Sequence, residues 1–203
     1  MLTEQPGRLS ATGDSDAVLI ADSIADPDRF AAIFDRHADA ILRYASARLG
    51  PEHAEDVTAE TFLAAFHRRA HYDTSRLDAR PWLYGIAVRQ IGKHRRAEAM
   101  RWRVLEAVPA QALIDDFGDR SAERVTAQQL RPQLVKVLSK LPQRDVDLLL
   151  LIAWTDLSYA ETAEALGVPV STVRSRLNRV RVRVRKALGG TNPANVEEET
   201  SDG

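Results

Sequence analysis

The feature that most constrains this chain is the stretch from Leu157 to Leu188, LSYAETAEALGVPVSTVRSRLNRVRVRVRKAL, because it carries its own start, stop and restart signals. Ser158 can accept from the backbone N–H three residues on, and Glu161 stands where its carboxylate can reach back, the reciprocal pair that starts a helix. Gly167 takes the left-handed conformation that ends a helix at little cost, and Pro169 cannot donate into a continuing one. The pattern predicts a short helix between Ser158 and Gly167. Val173, Leu177, Val180, Val184 and Leu188 then recur at spacings of three and four residues, the apolar stripe of a second helix.

The opposite face of that second helix is basic. Arg174, Arg176, Arg179, Arg181, Arg183, Arg185 and Lys186 fall there with no acid among them, and Ser171, Thr172, Ser175 and Asn178 stand near its start. Two helices joined by a tight glycine turn, the second presenting polar and arginine side chains from its first turns, are what reading a DNA major groove requires. Arginine offers forked donors to guanine edges or phosphates, asparagine pairs adenine edges, and serine or threonine serve either. A solvated amphipathic helix would also be basic. The coincidence of capping pair, turn glycine and unopposed arginines favours duplex binding.

The net charge of -1 over 203 residues hides an uneven distribution. Acid collects before Asp28 and after Asn195; base collects in Arg80 to Arg103 and Arg174 to Lys186, and local sign sets the field a polyanion meets. The absence of cysteine excludes disulfides and thiolate zinc sites. No apolar run approaches the roughly 18 residues of a membrane span, and the N-terminus lacks the basic-then-apolar order of a secretory signal, so a cytoplasmic protein without membrane insertion is expected.

The pattern predicts an all-α chain of two small helical domains. Residues 1–25 are polar and are expected to be a disordered extension. Residues 26–106 form the first domain: apolar positions from Phe30 to Leu49 keep helical spacing until Gly50 and Pro51 break it, and a further helix is predicted from about Glu52 to His71. On it Asp56 and Glu60 lie beside Phe62, Leu63 and Phe66, a face suited to a basic partner helix, although acids near a helix start also favour its dipole. After a polar connector, Pro81 suits a first helical turn. The helix that follows carries Arg89, Gln90, Lys93, His94, Arg95 and Arg96 with Trp82 and Tyr84 interleaved. Basic groups that track a backbone, with rings on which unstacked bases lie, are the ingredients of single-strand binding; the alternative for the rings is burial in the core. Residues 107–128 are an acidic, flexible linker, 129–189 a second domain whose buried centre is Leu148 to Trp154, and 190–203 an acidic, disordered tail.

Catalysis finds little support. His67 and His71 share a helix face, but Arg68 and Arg69 lie between them and no acid follows at ligand spacing, so no metal is expected. Gly85 and Gly92 are isolated rather than part of a phosphate loop, and there is no nucleophile elbow. The chain is expected to be neither an enzyme nor a cofactor binder.

With the motifs DVTAETFLAAF, RPWLYGIAVRQIGKHRR, LPQRDVDLLLL and LSYAETAEALGVPVSTVRSRLNRVR in this order, the chain resembles a bacterial sigma factor of RNA polymerase, of the extracytoplasmic-function type that keeps only the second and fourth conserved regions. The resemblance implies a region 2-like first domain and a region 4-like second one. It implies that Asp56, Glu60, Phe62 and Phe66 dock on the coiled coil of the polymerase's largest subunit, with the flap as a second contact. Trp82, Tyr84, Arg89, Gln90, Lys93, His94, Arg95 and Arg96 match the part that captures the melted strand of the −10 element. Ser171, Thr172, Arg174, Ser175 and Asn178, with Arg176, Arg179 and Arg181 on phosphates, match the reader of the −35 element. Core RNA polymerase and promoter DNA are the implied partners, and family members are commonly held by an anti-sigma protein. Two positions depart from the family: Gln90 stands where asparagine is frequent, and Thr162 replaces an aliphatic, so its hydroxyl must bond a backbone carbonyl or weaken the packing. The competing reading is a helix-turn-helix regulator that binds duplex DNA without polymerase. In a third, the first half is an interaction module only.

Overall fold

The computed structural model describes residues 14–105 and 137–187, with side chains for 14–100 and 137–186. The linker, the tail and residues 1–13 lie outside the described residues, as does most of the helix expected around Leu130 and Leu134. Every regular element among the described residues is helical.

The first half holds four helices. α1 (Asp16–Asp22) begins where the Ser15 hydroxyl accepts from the Val18 N–H, and Leu19 and Ile20 on it are fully buried. Residues 16–22, expected to be disordered, are thus a docked helix: the apolar patch Ala17–Ile20 is short in sequence but finds a core to enter. A 3-10 turn (Pro27–Phe30) leads into α2 (Ala31–Leu49). α2 ends at Gly50, whose φ of 84° is left to glycine, and Pro51 opens α3 (Pro51–Arg68). A second 3-10 turn (Arg69–His71) and a connector precede α4 (Arg80–Leu105).

α2, α3 and α4 pack around Ile33, Ile41, Ala45, Ala54, Val57, Ala65, Leu83, Ile86, Ala87 and Ile91, each at most 2% exposed. Thr58 and Thr61 enter this core because each hydroxyl donates to the carbonyl four residues back at 2.7 Å, leaving no orphan donor.

The second half holds α5 (Gln143–Trp154), α6 (Tyr159–Leu166) and α7 (Val170–Ala187). Leu148, Ala163, Val173 and Leu177 make its own small core. Val146, Leu150, Leu151, Leu157, Ala165 and Val180 face the other way and are continuous with the core of the first half. α5 therefore buries opposite faces against different neighbours, which is why Leu148 to Leu151 is apolar all round. The halves read as separate domains in the sequence are packed together, α4 lying against α6.

Candidate nucleic-acid interface

The α6–turn–α7 unit is built as its residues require. Ser158 Oγ accepts from the Glu161 N–H at 3.2 Å, and Glu161 Oε2 accepts from the Ser158 N–H at 2.7 Å. α6 ends at Gly167 with φ 64° and ψ 38°, and the Val168 N–H returns to the Ala163 carbonyl at 3.0 Å. Val173, Leu177 and Val180 seat α7, each at most 3% exposed. Their burial turns Ser171, Arg174, Ser175, Asn178, Arg179 and Arg181 to solvent, with Thr172 and Arg176 half-buried. The Ser175 hydroxyl donates to the Thr172 carbonyl at 3.1 Å, and Arg179 Nε reaches the Ser175 carbonyl at 3.4 Å. Thr162 is fully buried and its hydroxyl has no partner among the described residues, so the bond to a backbone carbonyl expected as one of its two outcomes is not made there.

On α4, Arg89, Lys93 and Arg96 are exposed, while Gln90, His94 and Arg95 are half-buried. Burial and the neighbouring Arg68 charge lower the Arg89 pKa. The His94 ring lies 4.5 Å from that of His53, with its Nε2 buried. Trp82 is half-buried against Tyr72, ring centroids 4.9 Å apart. Tyr84 is 6% exposed and edge-on to Tyr44 at 5.4 Å, so here it is a core ring with no open face for a base. Burial pushes its phenol pKa up. The alternating spacing of Trp82 and Tyr84 did not separate a half-open ring from a closed one.

The start of α4 is held by α1. Asp16 Oδ2 accepts from the Ala79 N–H at 2.9 Å and lies 2.8 Å from His37 Nε2, while Oδ1 accepts from Arg36 Nη1 at 3.0 Å. Burial opposes ionisation of Asp16, but the His37 hydrogen bond, the Ala79 N–H and the His37 charge outweigh it, holding its pKa at about 2. Nothing in the sequence pairs Asp16 with residues so distant, and this anchoring residue was missed.

α3 presents a second surface. Asp56, Glu60 and Leu63 recur at helical spacing on its exposed side, and Leu63 is 58% exposed. Phe62 is instead 5% exposed, its ring edge-on at 4.9 Å to Phe34, which is itself 46% exposed. Phe66 is half-buried between Phe30 and the Arg69 guanidinium, which sits 3.8 Å over its ring. The exposed apolar groups beside the carboxylates are thus Leu63 and Phe34. Phe34 was not singled out because it lies on α2 within a core-spaced series. Glu60 lies 3.8 Å from Lys93, so the acidic stripe of α3 adjoins the basic face of α4. No group of three or more potential ligands occurs among the described residues, and no described helix is long and apolar enough to cross a membrane.

Residues 33–101 match the family described as sigma-70 region 2, and residues 131–184 match that described as sigma-70 region 4. The chain is 30% identical over 170 residues to the ECF RNA polymerase sigma factor SigW of Bacillus subtilis (strain 168), covering 80% of this chain and 90% of that relative. It is 28% identical over 166 residues to the RNA polymerase sigma factor NccH of Alcaligenes xylosoxydans xylosoxydans, covering 80% and 88% of the two. Among solved structures, CnrH in complex with the cytosolic domain of CnrY shares the fold with a TM-score of 0.60 at 23% identity, over 88% of this chain and all of that one.

Proposed function

The chain belongs to the extracytoplasmic-function sigma factors of RNA polymerase, and from that premise we propose which of its surfaces serves which partner. The protein binds core RNA polymerase and directs promoter-specific transcription. It acts by binding rather than bond-making, and it works in the cytoplasm, where polymerase meets DNA. Asp56, Glu60 and Leu63 form the polymerase-docking stripe of α3, with Phe34 extending it and Phe62 and Phe66 bracing it from within. Arg89, Gln90, Lys93, His94, Arg95 and Arg96 hold the melted −10 strand, with the open part of Trp82 as a stacking surface and Tyr84 as a brace. Ser171, Thr172, Arg174, Ser175 and Asn178 read the −35 duplex, and Arg176, Arg179 and Arg181 bind its phosphates.

The observation that carries this assignment is the adjacency of an exposed carboxylate–leucine stripe on α3 to an exposed basic row on α4, bridged by Glu60 and Lys93. A strand opened beside the docked polymerase would fall onto that row. Two separately weak grips on DNA, joined through polymerase, multiply by effective concentration.

The test separates the surfaces. Asp56→Arg and Leu63→Asp are expected to weaken binding to core polymerase while leaving helicity unchanged. Lys93→Ala with Arg96→Ala is expected to leave polymerase binding intact and to reduce strand opening at the −10 element, read by permanganate reactivity. Equal loss of both properties in both sets of variants would refute the assignment.

A further inference from the structure

α7 carries more positive charge than its assigned contacts use. Arg183, Arg185 and Lys186 continue the basic face beyond the residues given to the −35 duplex, and all three are exposed. In the first half a cation characteristically faces an acid: Arg29 meets Asp14 and Asp22, Arg36 meets Asp16, Arg80 meets Asp78 and Lys93 meets Glu60. Among the described residues no carboxylate pairs with any cation of α7. Arg179 reaches only a carbonyl of its own helix, and Arg181 Nη2 only the Tyr159 hydroxyl at 3.5 Å.

The helical period arranges this charge in two rows. With Val173, Leu177 and Val180 turned inward, Ser171, Ser175 and Val182 follow the middle of the outward face. Arg174, Arg181 and Arg185 flank that line on one side, and Arg179, Arg183 and Lys186 on the other. Val182 is 55% exposed between the rows. A phosphate backbone offers charge alone, whereas a valine set between cations suits a ligand that brings an apolar group together with carboxylates.

Such a ligand follows in the same chain. After Ala187, where α7 ends, the remaining sequence LGGTNPANVEEETSDG holds Glu197, Glu198, Glu199 and Asp202 with no lysine or arginine, and Val196 stands directly before the three glutamates. Ten residues separate Ala187 from Glu197, a link that spans at most about 35 Å. α7, at about 1.5 Å per residue over 18 residues, is about 27 Å long, so the glutamates can reach any cation on it. Tethering of this kind supplies a local concentration of order mM, enough to populate a contact too weak to form between separate molecules.

We propose that the segment Val196–Asp202 docks on the exposed face of α7, with Val196 on Val182 and the glutamates between the two arginine rows, and so competes with DNA phosphates for that face. The proposal rests on the reading of α7 as the duplex-binding helix and adds to it an intramolecular competitor. The apparent affinity for duplex is then the intrinsic affinity scaled by the fraction of chains whose α7 is uncovered; a helix covered about two-thirds of the time loses about threefold. Salt releases the segment as it weakens DNA binding, which flattens the salt dependence of the wild-type chain.

The experiment compares the full chain with Glu197→Gln/Glu198→Gln/Glu199→Gln, which alters no residue of the described helices. The chain contains no cysteine, so Ser201→Cys carries a nitroxide in both proteins. At about 50 mM salt the label is expected to broaden the backbone amide signals of Arg179 to Lys186 in the parent. The broadening is expected to vanish in the glutamine variant and at about 0.5 M salt, where charges more than about 4 Å apart are screened. Binding to a fluorescent 20-base-pair duplex, followed by anisotropy, is expected to be about threefold or more tighter for the variant at 50 mM salt, with a steeper salt slope and convergence near 0.5 M. Absence of broadening on α7 overturns the docking, and a tighter variant without broadening assigns the acids to through-space repulsion of DNA. Broadening with equal duplex affinities overturns the competition. A chain that binds no duplex in either form would instead overturn the duplex-reading role of α7, and the competition with it, whatever the label reports.

Discussion

Asp16→Asn is expected to destabilise the protein by about 2 kcal/mol at neutral pH and by little in strong acid. The Asp16 side chain is 7% exposed and receives Arg36, His37 and the Ala79 N–H. Its pKa falls from 3.8 to about 2 on folding, and at about 1.4 kcal/mol per unit that drop corresponds to about 2 kcal/mol. A carboxyl whose pKa is depressed by folding contributes its stability above the unfolded value. The contribution is complete above about pH 4 and is lost as pH falls through 2. Asparagine keeps the shape and an acceptor for the Ala79 N–H but carries no charge. Urea unfolding of both proteins, followed by circular dichroism from pH 7 downward, should give a stability gap that is flat to about pH 4 and closes toward pH 2. A gap that stays constant across the whole range would show that Asp16 acts through shape alone and would refute the charge-based anchoring of α1 to the start of α4.

Three further outcomes follow from single residues. Thr162→Val replaces a fully buried, unpartnered hydroxyl with a methyl of the same shape, so stability measured by urea unfolding is expected to rise by about 1 kcal/mol. Gly167→Ala meets no atom within 4 Å but must hold a φ of 64°, and thermal unfolding is expected to report a loss of about 1 kcal/mol from strain alone. Arg174→Ala is expected to weaken binding at one class of −35 sequence by roughly 1–3 kcal/mol if the side chain is bidentate to a base. Equal weakening on all sequences, measured with polymerase on a set of −35 variants, would assign Arg174 to phosphate.

The helix-turn-helix was legible because its signals are local. Ser158, Glu161 and Gly167 act on residues within one turn of themselves, and the structure places each in the role its chemistry suggests. The stripe from Val173 to Val180 was legible for the same reason, since periodicity alone decides which face of α7 is buried. The membership of two sigma-70 regions was readable from motif order, because those motifs span most of the patterned chain.

What escaped depends on partners far away in the chain. α1 is too short to stand alone, and it folds because Leu19 and Ile20 meet a core assembled from later helices and because Asp16 finds Ala79. Phe62 and Leu63 are adjacent and both apolar; only the position of Phe34 on α2 decides that the first is covered and the second exposed. Tyr84 is closed off by Tyr44 on α2, a contact no helical period of α4 announces. The packing of the halves was hidden most thoroughly. Gly85 reads as a mild flaw in a helix, and Arg48 reads as a solvated last-turn cation favoured by the helix dipole, until Ala165 and Asp147 are brought beside them.

The most direct measurement combines the purified chain with sigma-free core polymerase on a library of random promoters and maps the transcript starts. The expected result is a set of starts that appears only with the chain present, shares one −35 and one −10 sequence at fixed separation, and disappears with Asp56→Arg and Leu63→Asp. The contrary result is a chain that shows no affinity for the polymerase and directs no starts, yet binds intact duplex tightly by itself.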